Sequence, residues 1–287
     1  MLEHLNANTI FNTIAMLRPE RDGVFLVVEG SDDQYTVKRH VDDDAVTVLC
    51  GLGGKPDLLS ASAKVDQHGT PQVYFLIDSD YDKFIPPEAE YGKTVIASDG
   101  HDLVMDLVLI DRSIIHRVID SHTRGHSRGG ESIDAADVLT KAIDLALPVG
   151  VLRMLSVENG WGLNLRDYPF GRLKSTPPDL AEIVEIAVER SAPVADEASI
   201  LPALTYAMTS YRTHATAIVG DHDCFSAIAR VMCDRGFKKA GADHLSSSFL
   251  AAVGCNSLNR TSWFTSMSDR IAADTGGSCF ICPCDVA

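Results

Sequence analysis

The chain alternates short apolar runs with longer stretches of helical period, and that alternation sets the expected fold. Val24-Phe25-Leu26-Val27-Val28 and Val73-Tyr74-Phe75-Leu76-Ile77 are rich in β-branched and aromatic residues. Runs of this kind read as strands buried on both faces, as in a parallel sheet. Ala45 to Cys50 and Thr94 to Ala97 read as two further strands. After the first strand, Ser31-Asp32-Asp33-Gln34 has the form of a capping box, serine with glutamine three residues on, and opens a helix to about Val41. Gly51-Leu52-Gly53-Gly54-Lys55 opens a second helix to about His68, and Ser98-Asp99-Gly100-His101-Asp102 leads into another. Strands alternating with helices imply βαβ units and a mainly parallel sheet flanked by helices.

Near residue 120 the pattern changes. Asp120 to Gly130 reads as a polar loop with interleaved His and Arg. Helical periods then cover about Asp134–Ala146, Asp179–Arg190 after Pro177-Pro178, Ala198–Thr213, Asp223–Arg235 closed by Gly236, and Ser262–Asp274. The expected organisation is an α/β domain over 1–120 and a mostly helical domain over 121–287 for substrate, partner or dimer contacts. No internal repeat or low-complexity tract is visible.

Composition narrows the classes. The 287 residues are 45% hydrophobic and 23% charged, which supports a sizeable core and excludes global disorder. A net charge of −15 argues against broad adhesion to nucleic acid or anionic membrane, though not against a local basic groove. The opening Met1-Leu2-Glu3-His4 is acidic and mixed, unlike a secretory signal. No stretch approaches the ~20 apolar residues of a membrane helix. Of seven cysteines, four are scattered and three cluster at the end, which suits reduced thiols in a cytosol. The expectation is a cytoplasmic protein with no membrane partner.

Candidate chemistry sits where the two strongest strands end. The first runs into Glu29-Gly30 and the second into Asp78-Ser79-Asp80-Tyr81-Asp82. Ligands of open α/β sheets bind outside the carboxyl ends of such strands. Neighbouring strands would therefore deliver Glu29, Asp78 and Asp80 to one point. Three carboxylates repel each other unless a cation joins them, and hard oxygen ligands suit Mg²⁺, with Mn²⁺ as a substitute. Glu29 would either ligate the metal or act as acid/base on an oxygen of a scissile phosphodiester. Asp33, one helical turn beyond Glu29, and Asp82 are candidates for a second metal.

Val28-Glu29-Gly30-Ser31-Asp32-Asp33 followed by Ile77-Asp78-Ser79-Asp80 resembles the TOPRIM domain of primases, topoisomerases and OLD-class nucleases. Gly53-Gly54-Lys55 and His101-Asp102 extend the likeness to the AriB-like effectors of the PARIS phage-defence system. The likeness covers about the first 110 residues. It implies a toxic, Mg²⁺-dependent endonuclease of nucleic acid, with RNA favoured over DNA and tRNA one candidate substrate. It also implies an ATPase sensor subunit as partner, a homodimer, and Asp102 among the metal ligands. Val104 stands where that group carries a glutamate, with Asp106 close along the helix.

Other motifs carry alternative chemistry. A Walker loop would need Gly at Leu49 and Ser or Thr at Pro56, so Lys55 is either a phosphate contact or a solvated lysine. Gly125-His126-Ser127-Arg128-Gly129 matches the nucleophile-elbow string without its strand–turn–helix context. Arg124 and Arg128, with Arg112 and Arg117, either contact a phosphate backbone or belong to a polar connector. Cys279, Cys282 and Cys284 with Cys255 read as reduced thiols in preference to a zinc site. Asp223 reads as a helix cap, and Trp161 and Trp263 as core or interface residues. Two other functional classes stand against the nuclease: a non-catalytic TOPRIM scaffold that binds an ATPase partner, and an Asp-x-Asp phosphotransferase or phosphatase. The latter leaves Glu29-Gly30 unexplained.

Overall fold

The computed structural model describes residues 7–51, 53–86, 90–124, 133–193, 197–238 and 240–282. The chain forms two compact units, one of 1–79, 86–110 and 252–287 and the other of 80–85 and 111–251.

The first unit opens with α1 (Ala7–Leu17), followed by β1 (Val24–Val28), α2 (Ser31–Lys38), β2 (Val46–Cys50), α3 (Gly54–His68), β3 (Val73–Ile77), β4 (Val95–Ala97) and α4 (Leu103–Ile110). The four strands form one sheet in the order β2-β1-β3-β4, every pair parallel. All five residues of β1 and all five of β3 are buried. The two central strands therefore carry continuous apolar runs, as a sheet covered on both faces requires. Phe25, Val27, Val73, Phe75 and Ile77 pack with Ile10 and Ile14 of α1 and Leu58, Ala61 and Val65 of α3 in one core. On the alternate face of β3, the Tyr74 hydroxyl donates to the backbone carbonyl of Arg270 at 3.2 Å. The strand order reverses between β1 and β3, which is where ligands of open α/β sheets bind.

The second unit is helical: α5 (Arg112–Thr123), α6 (Ala135–Asn159), α7 (Leu180–Glu189), α8 (Glu197–Tyr211), α9 (Ala215–Ile218), α10 (Asp221–Asp234) and α11 (Ala242–Ala252). α6 is its axis, buried along most of its 25 residues and packed against α5, α7, α8, α9 and α10. Its start is the predicted one. The Asp134 carboxylate accepts from the amides of Ala136 and Asp137 at 2.9 and 3.3 Å. A side chain at Gly150 would meet the Ile218 carbonyl at 2.8 Å, so glycine permits the close α6–α9 approach. After α11 the chain returns to the first unit through α12 (Cys255–Leu258) and α13 (Ser262–Thr275).

Several local expectations are corrected. α1 was not anticipated, and α5 continues to Thr123 through the start of the expected polar loop. Ile114, Ile115, Val118 and Ile119 are buried while Arg112, Arg117 and Arg124 are exposed, so the basic residues there are the wet face of an amphipathic helix. α6 runs on to Asn159 through Pro148, where a shorter helix was expected. The capping box sits one residue earlier than Ser31: Gly30 is the N-cap of α2 and its amide is bonded by the side chain of Asp33 at 3.0 Å. Cys255 and Cys282 form a disulfide with Cα atoms 5.7 Å apart, so these two are not the free thiols expected. Cys284 and Arg128 lie outside the described residues. No helix among the described residues is long and apolar enough to cross a membrane.

Candidate active site at the carboxyl ends of β1 and β3

The register of β1 on β3 pairs Val28 with Leu76, which carries Glu29 to the level of Ile77. From there the Glu29 carboxylate accepts the backbone amide of Asp78, Oε1 to N 2.9 Å. Asp78 in turn accepts the Leu103 amide at the first turn of α4, Oδ1 to N 3.2 Å. The strand ends and the start of α4 are thus joined through two carboxylates. The amides at a helix N-terminus favour the negative charge of Asp78. Lys55, at the start of α3, donates from Nζ to the Ser79 carbonyl at 3.1 Å and lies 5.8 Å from the Tyr91 ring centre. A cation therefore stands one residue beyond Asp78. Ser79 and Ser98 bind each other across the ends of β3 and β4, with the Ser79 amide donating to Ser98 Oγ at 2.8 Å and Ser79 Oγ to the Ser98 carbonyl at 2.6 Å.

Other sequence-predicted residues take different places. Asp33 is buried and its Oδ2 is engaged by the Gly30 amide, so it closes the turn after Glu29. Asp102 caps α4: Oδ1 accepts the Met105 amide at 2.6 Å and Oδ2 lies 3.0 Å from His101 Nδ1. Asp80 and Asp82 lie in the segment 80–85, which belongs to the helical unit. Asp80 has φ +49°, a left-handed conformation that aspartate tolerates better than most residues. In that unit the Phe84 ring meets those of Tyr211 and His214 edge-on at 5.3 and 5.7 Å. Arg124 ends α5 in the same unit.

Two acidic residues have roles that the motifs did not reveal. Asp99 binds the amides that open α13, accepting from Ser262 at 2.7 Å and Trp263 at 3.1 Å. No local pattern announces a partner 163 residues away. Asp106 is buried, and its Oδ2 accepts the Asp99 amide at 2.7 Å. A side chain at Gly100 would come within 2.5 Å of its Oδ1, so the loop over it needs glycine. Asp106 is therefore turned to the loop of residues 99–100.

Burial pushes the Asp106 carboxyl up to about 7, with the charges of Asp99 and Asp102 adding to the effect and the amides of Asp99 and Gly100 opposing it. The ordinary value lies near 3.8, so between these limits the folded chain keeps a proton that the unfolded chain has released. Its stabilising contribution is complete below about pH 4 and is lost as pH rises through about 7. Asp106→Asn keeps an acceptor oxygen without the charge. We expect it to raise stability by about 1.5 kcal/mol at pH 5 and by about 4 kcal/mol at pH 8, read from urea midpoints at the two pH values. Equal shifts at both would show that the charge is not what costs stability.

Among the described residues, no three His, Cys, Asp or Glu side chains stand together as a metal cluster. Mg²⁺ does not require one. It keeps several waters and is commonly held by one or two carboxylates with substrate phosphates. Glu29 and Asp78, on adjacent strands with hard oxygen donors, fit that mode. No family model and no curated protein matches this chain.

Proposed function

We propose that this chain hydrolyses phosphodiester bonds in nucleic acid with a divalent metal at Glu29 and Asp78. The observation that carries the proposal is the 2.9 Å bond from the Asp78 amide to the Glu29 carboxylate, at the point where the strand order reverses. Glu29 and Asp78 would hold Mg²⁺ or Mn²⁺. The metal would supply charge neutralisation at the phosphoryl oxygens. The chain's own groups do the rest. Glu29 is oriented by the Asp78 amide and is placed to take or return a proton at an oxygen of the scissile bond. Lys55, held on the Ser79 carbonyl, brings positive charge to the same end of β3, where a phosphate would lie. RNA as the substrate class, tRNA within it, an ATPase sensor as partner, a homodimer and a role in phage defence rest on the TOPRIM and AriB-like resemblance alone.

One observation favours a second reading. Glu29, Asp33, Asp78 and Asp102 each accept backbone amides, as carboxylates of a purely structural scaffold would. Incubation with total tRNA and with plasmid DNA, in Mg²⁺ or chelator, separates the two readings. Wild type should cut RNA only with metal. Asp78→Asn keeps an oxygen for the Leu103 amide and should cut about 10³-fold more slowly while melting normally. Intact substrates with wild type, or equal cutting by the variant, would exclude the nuclease.

A further inference from the structure

The last described residues of the chain are fastened to the loop after α2 by several independent contacts. The Asp42 amide donates to the Cys279 carbonyl and the Ile281 amide to the His40 carbonyl, both at 2.9 Å. Val41 and Phe280 form an antiparallel bridge, and the Phe280 ring packs edge-on against Phe264 at 4.8 Å. The Cys255–Cys282 disulfide closes this short pairing at its end. Both sulfurs belong to half-buried residues, and the neighbouring Ile281 is 42% exposed. His40, only 2% exposed, places Nδ1 3.7 Å from Cys255 Sγ.

We propose that Cys255–Cys282 is a thiol–disulfide exchange site for small dithiols, a redox clasp whose opening releases the segment 279–282 from the 40–42 loop. This inference is independent of the nuclease reading. In the first step a thiolate of the dithiol attacks Cys282 Sγ. A mixed disulfide forms, the bond to Cys255 breaks, and Cys255 leaves as a thiolate. The second thiol then attacks the mixed disulfide, closes the reductant into a cyclic disulfide and frees Cys282. Two electrons pass to the protein, and the two protons lost by the dithiol end on Cys255 and Cys282. Burial, aided by the neighbouring Arg39 charge, lowers the His40 imidazole to about 4, so it is neutral at physiological pH. After reduction the neutral His40 ring stands within hydrogen-bond reach of the Cys255 sulfur.

The clasp ties together two elements at the edge of the first unit. The 40–42 loop connects α2 to β2, while Cys255 opens α12, which packs on α4. Without it, the amide bonds of Asp42 and Ile281 and the Phe280–Phe264 ring contact remain to hold the segment on the loop. Such segments open locally at low free-energy cost.

Thiol alkylation and hydrogen exchange on the full chain test this. Among the described residues Cys255 and Cys282 are paired and Cys50, Cys224, Cys233 and Cys279 are free, so in protein purified without reductant and denatured Cys255 and Cys282 should resist alkylation, and both should titrate after a dithiol such as dithiothreitol. On native protein, the dithiol should speed exchange at the Asp42 and Ile281 amides at least tenfold while leaving the amides of β1 and β3 protected. Cys282→Ser without reductant should match reduced wild type, and Cys233→Ser, at an exposed free thiol, should match oxidised wild type. Alkylation of Cys255 and Cys282 before reduction would overturn the site. Unchanged exchange after reduction, or full protection in Cys282→Ser, would overturn the clasp.

Discussion

Glu29→Gln is expected to slow metal-dependent cleavage by about 10³-fold while leaving the fold intact. The expectation follows from a contact that the side chain makes. Oε1 accepts the Asp78 amide at 2.9 Å, and a glutamine carbonyl can accept the same bond. What glutamine cannot do is carry negative charge to a metal or take a proton from an attacking water. Glu29→Ala removes both functions and leaves the Asp78 amide without that acceptor. A half-buried amide so deprived costs about 1–2 kcal/mol, so the alanine variant should lose stability as well as activity. Single-turnover cleavage rates and urea midpoints on the same preparations separate the two effects. If glutamine cuts within about threefold of wild type, the carboxylate is there to join β1 to β3, and catalysis must be sought elsewhere.

The sheet was legible because its central strands need no tertiary context to announce themselves. Val24–Val28 and Val73–Ile77 are apolar throughout, and only burial on both faces suits such runs. The helices that begin at aspartate were legible for a similar reason: Asp134 and Asp179 cap α6 and α7 by local bonds. The bond from the Asp78 amide to the Glu29 carboxylate joins the two strand ends, and adjacency of β1 and β3 is enough to allow it. What the sequence concealed is how its other carboxylates are spent. Asp33 is a candidate ligand by its place one turn beyond Glu29 and Asp102 through the resemblance, and each, like Asp99, satisfies amides at a turn or helix start. An aspartate in such a position has the same signature whether it caps a helix or holds a cation, because both tasks use a carboxylate at a strand-to-helix turn. The return of α12 and α13 to the first unit was hidden as well. It depends on long-range bonds, such as the Arg270 guanidinium on the carbonyls of Lys93 and Val95, that no local window contains.

Breaking the ion pair between α6 and α10 should produce the largest loss of stability in the helical unit. Arg153 meets Asp223 at 2.8 Å, with the aspartate side chain 8% exposed and the arginine 30%. Asp223 lies in the first turn of α10, so the helix dipole already favours its charge. Even so, Arg153→Met would leave a carboxylate buried beside apolar α6 with its main cation gone. Removing one partner of such a pair typically costs about 3–5 kcal/mol. The helix terminus and the partial exposure of Arg153 bring the expectation here to about 3 kcal/mol. The double variant Arg153→Met/Asp223→Leu removes the stranded charge together with its partner, and it should recover most of that loss, to within about 1 kcal/mol of wild type. Urea midpoints for the four proteins of the cycle decide the matter. A single variant as stable as wild type would mean that solvent reaches Asp223 well enough to replace the guanidinium. A double variant as unstable as the single would mean that the arginine stem, and not the charge, supports the packing of α6 on α10.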